Sequence, residues 1–261
     1  MSRLLIVGGG LFGSLAAAYA RRQGREVVVF DPGLPGAASP AAAGLFSPAW
    51  VGRKHAAIYV EAASVLEPLF LIRDVVFERS DGGCETIRFI PPAAILEAAP
   101  IRETVTEIGD GWLATESGRQ EGLVYVAAGV WSRKFAPDLD IVGKAGTAFR
   151  FAGESAARIS PGERSVRQSA LAFVREAGAT YFNDGVAEVD YGPQHERQSL
   201  GRAASMGLTD PIELLWGIRP YTRGGPVFRR LGARTWLATG GRKLGTLFGA
   251  VFARRLTEEM S

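Results

Sequence analysis

A chain of 261 residues that is 47% hydrophobic can bury a sizeable core, and its length points to one large domain or two interleaved ones rather than a disordered segment. Its net charge of +3 comes from scattered arginines such as Arg21, Arg22, Arg25, Arg229, Arg230, Arg254 and Arg255; this suits a solvated basic surface or an anionic partner, and matches no nucleic-acid-binding module. The single cysteine, Cys84, rules out an internal disulfide, and with only His55 and His195 beside it a Cys/His zinc site is not expected; no run of ~18 apolar residues suggests a membrane helix, so a reducing cytoplasm is the expected setting.

The first apolar run, about Arg3–Gly8, is too short and too soon followed by glycines to be a signal peptide, and reads as a strand. Gly8-Gly9-Gly10-Leu11-Phe12-Gly13 follows, then an Ala-rich helical pattern over about Gly10–Gln23 with Gly24 as its stop. A second apolar strand, about Glu26–Asp31, ends on an acid. This strand–turn–helix–strand order is built to hold a dinucleotide. Gly8 permits the tight turn, Gly10 lets the backbone approach a pyrophosphate, and Gly13 lets the helix pack closely on the strand. The phosphates would sit on free N–H groups at the helix N-terminus, where the dipole favours negative charge. Asp31 would accept hydrogen bonds from the hydroxyls of an adenosine ribose. The plainer alternative is a glycine turn in an ordinary α/β domain.

Pro32, Gly33, Pro35 and Gly36 then force a loop, and 37–48 (AASPAAAGLFSP) is rich in small residues. It reads either as a packed loop or as a wall against a flat cofactor. A helix is expected over Ile58–Ile72, strands at Val75–Phe77 and Thr86–Ile90, and a short helix between Pro91-Pro92 and Ala99. Thr104–Ile108 and Trp112–Thr115 form a hairpin pattern around Gly109-Asp110-Gly111, and Leu123–Ala127 is a buried strand. From Ile141 to Tyr191 the pattern is strand-like with turns, with Ser169–Glu176 open between strand and helix. Gln194–Met206 reads as a helix, Trp236–Thr239 as an apolar strand, and Thr246–Glu259 as the closing helix. No nucleophile-elbow sequence supports a Ser-His-Asp relay, and there are no internal repeats.

Further segments carry a resemblance. Ser39-Pro40-Ala41-Ala42-Ala43-Gly44-Leu45, Val124-Tyr125-Val126-Ala127-Ala128-Gly129-Val130-Trp131-Ser132, Gly217-Ile218-Arg219-Pro220-Tyr221-Thr222 with Gly225-Pro226, and Leu237-Ala238-Thr239-Gly240-Gly241 with Leu244-Gly245 occur in this order. With the glycine turn they resemble the motifs of FAD-dependent oxidoreductases of the D-amino-acid oxidase/glycine oxidase (DAO) superfamily, and touch about half the chain. The resemblance implies an α/β fold, with a Rossmann-like FAD-binding domain interleaved with a small, mostly antiparallel substrate domain. The expected division is 1–54, 95–140 and 205–261 for the cofactor and 55–94 and 141–204 for a reduced cap.

It also implies roles. Cofactor contacts would come from Gly8, Gly10, Leu11, Phe12, Gly13, Asp31, Ser39, Ala43, Gly44, Ala128, Gly129, Trp131, Gly240, Gly241, Leu244 and Gly245. Arg219 lies where the family's arginine pairs with a substrate carboxylate, a task suited to two parallel N–H donors. The start of the last helix would face the pyrimidine edge of the flavin ring, where reduction leaves negative charge. Lys243 would add to that effect, reach a substrate carboxylate, or simply be solvated. The substrate-covering tyrosines of the family have no clear match; Tyr181, Tyr191 and Tyr221 are available, and Tyr221 is nearest to Arg219. No cysteine near the C-terminus offers covalent flavin attachment, so FAD would be non-covalent.

The implied activity is oxidation of the C–N bond of an amino acid or related amine, with hydride transfer to flavin N5. The chain is short for this family. That keeps a second reading open, a flavin-binding subunit or maturation factor whose site a protein partner completes. An NAD(P)-dependent dehydrogenase is a third reading, carried by the first 31 residues alone. No nucleic-acid or membrane partner is expected.

Overall fold

The computed structural model describes residues 2–51, 56–160 and 169–261. His55, and the part of the strand-like stretch at 161–168, lie outside the described residues. The N-terminal unit is β1 (Leu4–Val7), α1 (Leu11–Arg22) and β2 (Val27–Phe30), followed by β3 (Leu45–Phe46), α2 (Pro48–Val51) and α3 (Ala56–Leu66). Next come β4 (Arg73–Arg79), β5 (Cys84–Phe89), α4 (Pro92–Ile95), β6 (Glu107–Gly109), β7 (Trp112–Thr115), β8 (Gly118–Glu121) and β9 (Leu123–Val126). The remainder is β10 (Ile141–Ala152), β11 (Arg158–Ser160), β12 (Ala170–Glu176), β13 (Ala179–Asn183), α5 (Pro193–Ser205), β14 (Pro211–Thr222), β15 (Val227–Gly232), β16 (Thr235–Thr239) and α6 (Gly245–Glu259).

The first sheet has the order β15-β16-β9-β1-β2. β1 lies parallel between β2 and β9, with Leu4 opposite Val27 on one side and Leu123 on the other. All four residues of β1 are buried, as a central parallel strand covered on both faces requires. Its alternation divides the core in two. Leu4 and Ile6 face α1 and α6, with Leu15, Trp236 and Phe252, whereas Leu5 and Val7 join Val124, Val126, Leu113 and Leu237 on the other face. The small antiparallel sheet β6-β7-β8 supplies Leu113 to that second cluster. α1 and α6 pack side by side; Phe12 meets Phe252 edge-to-face at 5.6 Å.

The second sheet has the order β14-β10-β13-β12-β11-β4-β5-β3. It is antiparallel throughout except where β11 runs parallel to β4. Chain segments alternate between the two sheets, so the halves are interleaved. β3 and β14 lie in segments expected to serve the cofactor half, 1–54 and 205–261, yet both hydrogen-bond into the second sheet.

Local differences from the sequence expectations have local causes. α3 stops at Leu66 rather than Ile72, because Pro68 disfavours helical geometry at Glu67. The segment left open between strand and helix is β12, whose ladders with β11 and β13 decide the matter. β14 was not anticipated as a strand: its apolar run Leu214-Leu215-Trp216 breaks the alternation and Pro220 interrupts it. Pro220 is tolerated because β14 is the edge strand, paired only with β10 among the sheet's strands.

Candidate cofactor and substrate site

The turn between β1 and α1 is sterically determined. Gly8 has φ of 103°, and a Cβ there would lie 2.6 Å from the Ala127 carbonyl oxygen. A Cβ at Gly13 would lie 1.8 Å from the Gly8 carbonyl oxygen. Neither backbone obstacle can swing aside. At Gly10 the neighbour is the Ser39 hydroxyl, 2.9 Å from a built Cβ, and the Leu11 N–H donates to that hydroxyl at 2.9 Å. The first main-chain bond inside α1 is Ser14 N–H to Gly10 O, so Phe12 and Gly13 carry the spare N–H groups of a helix start. No acidic residue occupies the first turn of α1.

Asp31 follows β2. Its carboxylate takes the Gly9 N–H at 2.7 Å on Oδ2 and the Gly33 N–H at 2.8 Å on Oδ1. Each oxygen keeps a further lone-pair site for another donor. The carboxylate therefore braces the glycine turn and the following loop while lining the cleft.

The small-residue segment 37–44 lies across the cleft and is fastened from the second sheet. Ile218 N–H donates to Gly36 O at 2.8 Å, and a Cβ at Gly217 would sit 2.5 Å from Ala38 Cα. Arg175 Nη1 donates to the carbonyls of Pro40 at 3.0 Å and Ala42 at 3.1 Å, and the Tyr181 hydroxyl donates to Ala41 O at 2.7 Å. The Arg175 guanidinium stands 4.7 Å from the Tyr181 ring centroid. Burial pushes the Tyr181 hydroxyl up to about 12, with Arg175 and Arg219 pulling the other way. At the end of this segment Gly44 adopts φ of 75°, where a Cβ would meet Ile90 O at 2.1 Å.

The C-terminal motif closes the far side. The Thr239 hydroxyl donates to Gly129 O at 3.0 Å, linking β16 to the turn after β9. Gly129 has φ of 59°, and a Cβ there would meet nothing within 4 Å, so bare backbone faces open space. Leu244 N–H bonds Gly241 O at 2.9 Å, and α6 starts beside it with no acidic residue in its first turn. These groups surround one cleft of about 1230 Å³, above the ~300–1,000 Å³ of ordinary ligand sites.

Of the residues singled out in the sequence, Gly8, Gly10, Leu11, Phe12, Asp31, Ser39, Ala43, Gly44, Ala128, Gly129, Trp131, Gly241, Leu244 and Gly245 line this cleft, as do Arg219, Tyr221 and Lys243. Gly13 and Gly240 pack behind the lining residues. Gly240 has φ of 79°, and a Cβ there would press on Thr222 Oγ1 at 2.5 Å. Of the tyrosines, Tyr181 pins the loop and Tyr221 lines the cleft. Tyr191 instead bonds the Thr147 hydroxyl and stacks on His195, with 5.1 Å between centroids.

Sequence reasoning missed Arg175, the loop clamp, because a lone arginine in β12 carries no motif. It also missed Lys144 on β10, which sits directly opposite Arg219 on β14, and the Arg242 guanidinium 5.3 Å from the Tyr221 ring centroid. Arg219 itself is half-buried, with Nη1 3.5 Å from Val186 O. Cys84 is exposed and outside the cleft. Among the described residues no His, Cys, Asp or Glu group could hold a metal ion, and no helix is long and apolar enough to cross a membrane.

The arrangement suits an extended dinucleotide. The rigid glycines at 8 and 13 leave no room for side chains, the acid stands at the end of β2, and two uncapped helix starts offer N–H groups to negative charge. A family profile described as DAO: FAD dependent oxidoreductase matches residues 3–83 and 93–259. No curated protein sequence matches the chain. Solved structures with the same fold include iminodiacetate oxidase from Chelativorans sp. BNC1, at 17% identity and a TM-score of 0.70, covering 99% of this chain and 95% of that one. Glycine oxidase from Bacillus cereus ATCC 14579 has 14% identity and a TM-score of 0.74, covering 100% and 97%. L-proline dehydrogenase from P. horikoshii has 13% identity and a TM-score of 0.69, covering 98% and 93%. At such identities these likenesses concern the fold.

Proposed function

Because the chain belongs to the DAO family of FAD dependent oxidoreductases, we propose that it holds FAD non-covalently along this cleft and oxidises the C–N bond of an amino acid or related amine. Family membership makes FAD the cofactor, in place of a nicotinamide nucleotide. Bound FAD supplies the two-electron acceptor that takes a hydride from the carbon bearing the amine. The N–H groups at the start of α1 would hold the pyrophosphate and Asp31 the adenosine ribose, with the loop 37–44 forming part of the same lining. The positive start of α6, with Lys243 beside it, would favour negative charge on a bound flavin ring.

One observation carries the amine reading: Arg219 projects from β14 into the same cleft as the glycine turn and the start of α6. A half-buried guanidinium offers a bidentate grip on a carboxylate and so fixes the neighbouring carbon. Positioning of this kind supplies much of the rate without a strong base, which fits a cleft lined by no histidine among the described residues. The test is an oxygen-free titration of the yellow protein with a panel of amino acids and amines. A substrate should bleach the flavin, and Arg219→Ala or Arg219→Lys should slow the bleaching by about 10²–10³-fold while FAD stays bound. Bleaching unchanged in both variants refutes the role of Arg219.

A second reading is favoured by the outer edge of β14. Ile212, Leu214 and Trp216 of that edge strand are 59%, 45% and 47% exposed, apolar surface that a protein partner completing the site would cover. A protein that holds FAD, stays oxidised with every amine, and gains activity only with an added partner supports this reading.

A further inference from the structure

We propose that the ligand of this site carries a second anionic group, and that Lys144 and Arg242 receive it while Arg219 holds the first; the substrate class is then an amino dicarboxylate. The proposal rests on the reading of Arg219 as a carboxylate anchor. In the β10–β14 ladder Lys144 is paired with Arg219. Two cations directly opposite across antiparallel strands repel, and such pairs destabilise a sheet. Among the described residues no salt bridge relieves Lys144, Arg219 or Arg242.

Two of these cations, Lys144 and Arg242, converge on one ring. Lys144 Nζ is 5.2 Å and Arg242 Cζ is 5.3 Å from the centroid of Tyr221, two residues beyond Arg219 on the same strand. Arg242 is held in place: its Nη2 donates to Thr222 O at 2.8 Å, and its backbone has φ of 51°, a conformation that costs a non-glycine residue free energy. All three line the cleft, as does Lys243. The carboxylate lining the same end is Glu188, whose backbone pairs with Ala145 next to Lys144. The charge at this end is therefore cationic in excess, with one acid suited to an ammonium. A ligand with one amine and two carboxylates matches that pattern, and an amine with a single carboxylate leaves the Lys144–Arg242 pair without its counter-charge.

The test uses the FAD-loaded protein and unreactive anions, so that binding is read without turnover. Propionate and succinate, and acetate and malonate, are titrated calorimetrically. Each dicarboxylate should bind about tenfold more tightly than its monocarboxylate partner, as one more charge-assisted contact provides. Lys144→Met should bring the dicarboxylate down to the monocarboxylate level with the latter unchanged, and Lys144→Arg should restore the difference. Equal affinities in the wild-type protein overturn the proposal, and this comparison needs no variant. A Lys144→Met protein that keeps the full dicarboxylate preference, or loses both affinities alike, overturns the assignment of Lys144. The two readings fail separately. A flavin bleached equally well by monocarboxylic and dicarboxylic amino acids leaves amine oxidation standing and refutes this inference, whereas a preserved dicarboxylate preference in a protein whose flavin no amine bleaches refutes amine oxidation alone.

Discussion

Gly13→Ala is the sharpest test of the cofactor cradle. The added methyl would stand 1.8 Å from the Gly8 carbonyl oxygen and 3.0 Å from Ile6 Cγ2. Comfortable contact begins at about 3.4 Å, so α1 must withdraw from β1 by roughly 1.5 Å. Withdrawal is obstructed on the opposite side. Phe12 is packed on Phe252, and α6 approaches α1 so closely that a Cβ at Gly249 would lie 2.8 Å from Leu15 Cδ1. Forced repacking of this kind costs about 1–3 kcal/mol. A shift of that size also carries the N–H groups of the helix start beyond the ~3.2 Å reach of a good hydrogen bond, so FAD affinity should fall by about tenfold or more. The assay is reconstitution of the apoprotein followed by flavin fluorescence, with a urea melt of the same sample. Gly201→Ala on α5 is the control: a Cβ there meets nothing within 4 Å, and the change should stabilise by about 0.5–1 kcal/mol. A Gly13→Ala protein with wild-type FAD affinity and an unchanged urea midpoint would refute the steric argument.

Two further outcomes concern the clamp on the small-residue loop. Tyr181→Phe removes the donor to Ala41 O and should cost about 1–2 kcal/mol in a urea melt, with faster proteolysis near residues 40–42; an unchanged melt and digest would show that the bond does not hold the loop. The same hydroxyl predicts an alkaline limit. Its ordinary value of 10.0 is raised to about 12 in the fold by burial, so folding favours the protonated form. Its contribution is full below pH 10.0 and is lost as pH rises through about 12. Phenolate absorbance followed with pH should show fewer tyrosines titrating near 10.0 in the wild type than in urea-unfolded protein, because burial raises Tyr125, Tyr181 and Tyr191, and Tyr181→Phe should flatten the stability loss over that window.

Much of the site was legible because backbone geometry writes itself into glycine spacing. Gly8 and Gly13 occur where any side chain would strike backbone, and Asp31 ends the strand next to that turn, so a short local segment carried the inference. At the two ends of the small-residue segment, Gly36 is required against Trp216 and Gly44 against the Ile90 carbonyl, so part of the local composition also follows from close packing. The family motifs then brought Arg219, Tyr221 and Lys243 into one cleft. The supports of those residues were not legible. Arg175 and Tyr181 reach carbonyls more than a hundred positions away, and nothing local to β12 or β13 announces that bond. Nor was the steric restriction on Gly240 legible, since it comes from Thr222 on a strand of the other sheet.

The sequence by itself determined the β–turn–α–β unit, the acid that stands beside its glycine turn, and the family, because each depends on residues near one another in the chain or on an ordered set of short motifs. Only the tertiary structure decided that β14 leaves the cofactor half to pair with β10, and so set Lys144 against Arg219. Strand partners are chosen by burial and hydrogen bonding between distant segments, and charges that meet across such a ladder are invisible until the register is fixed.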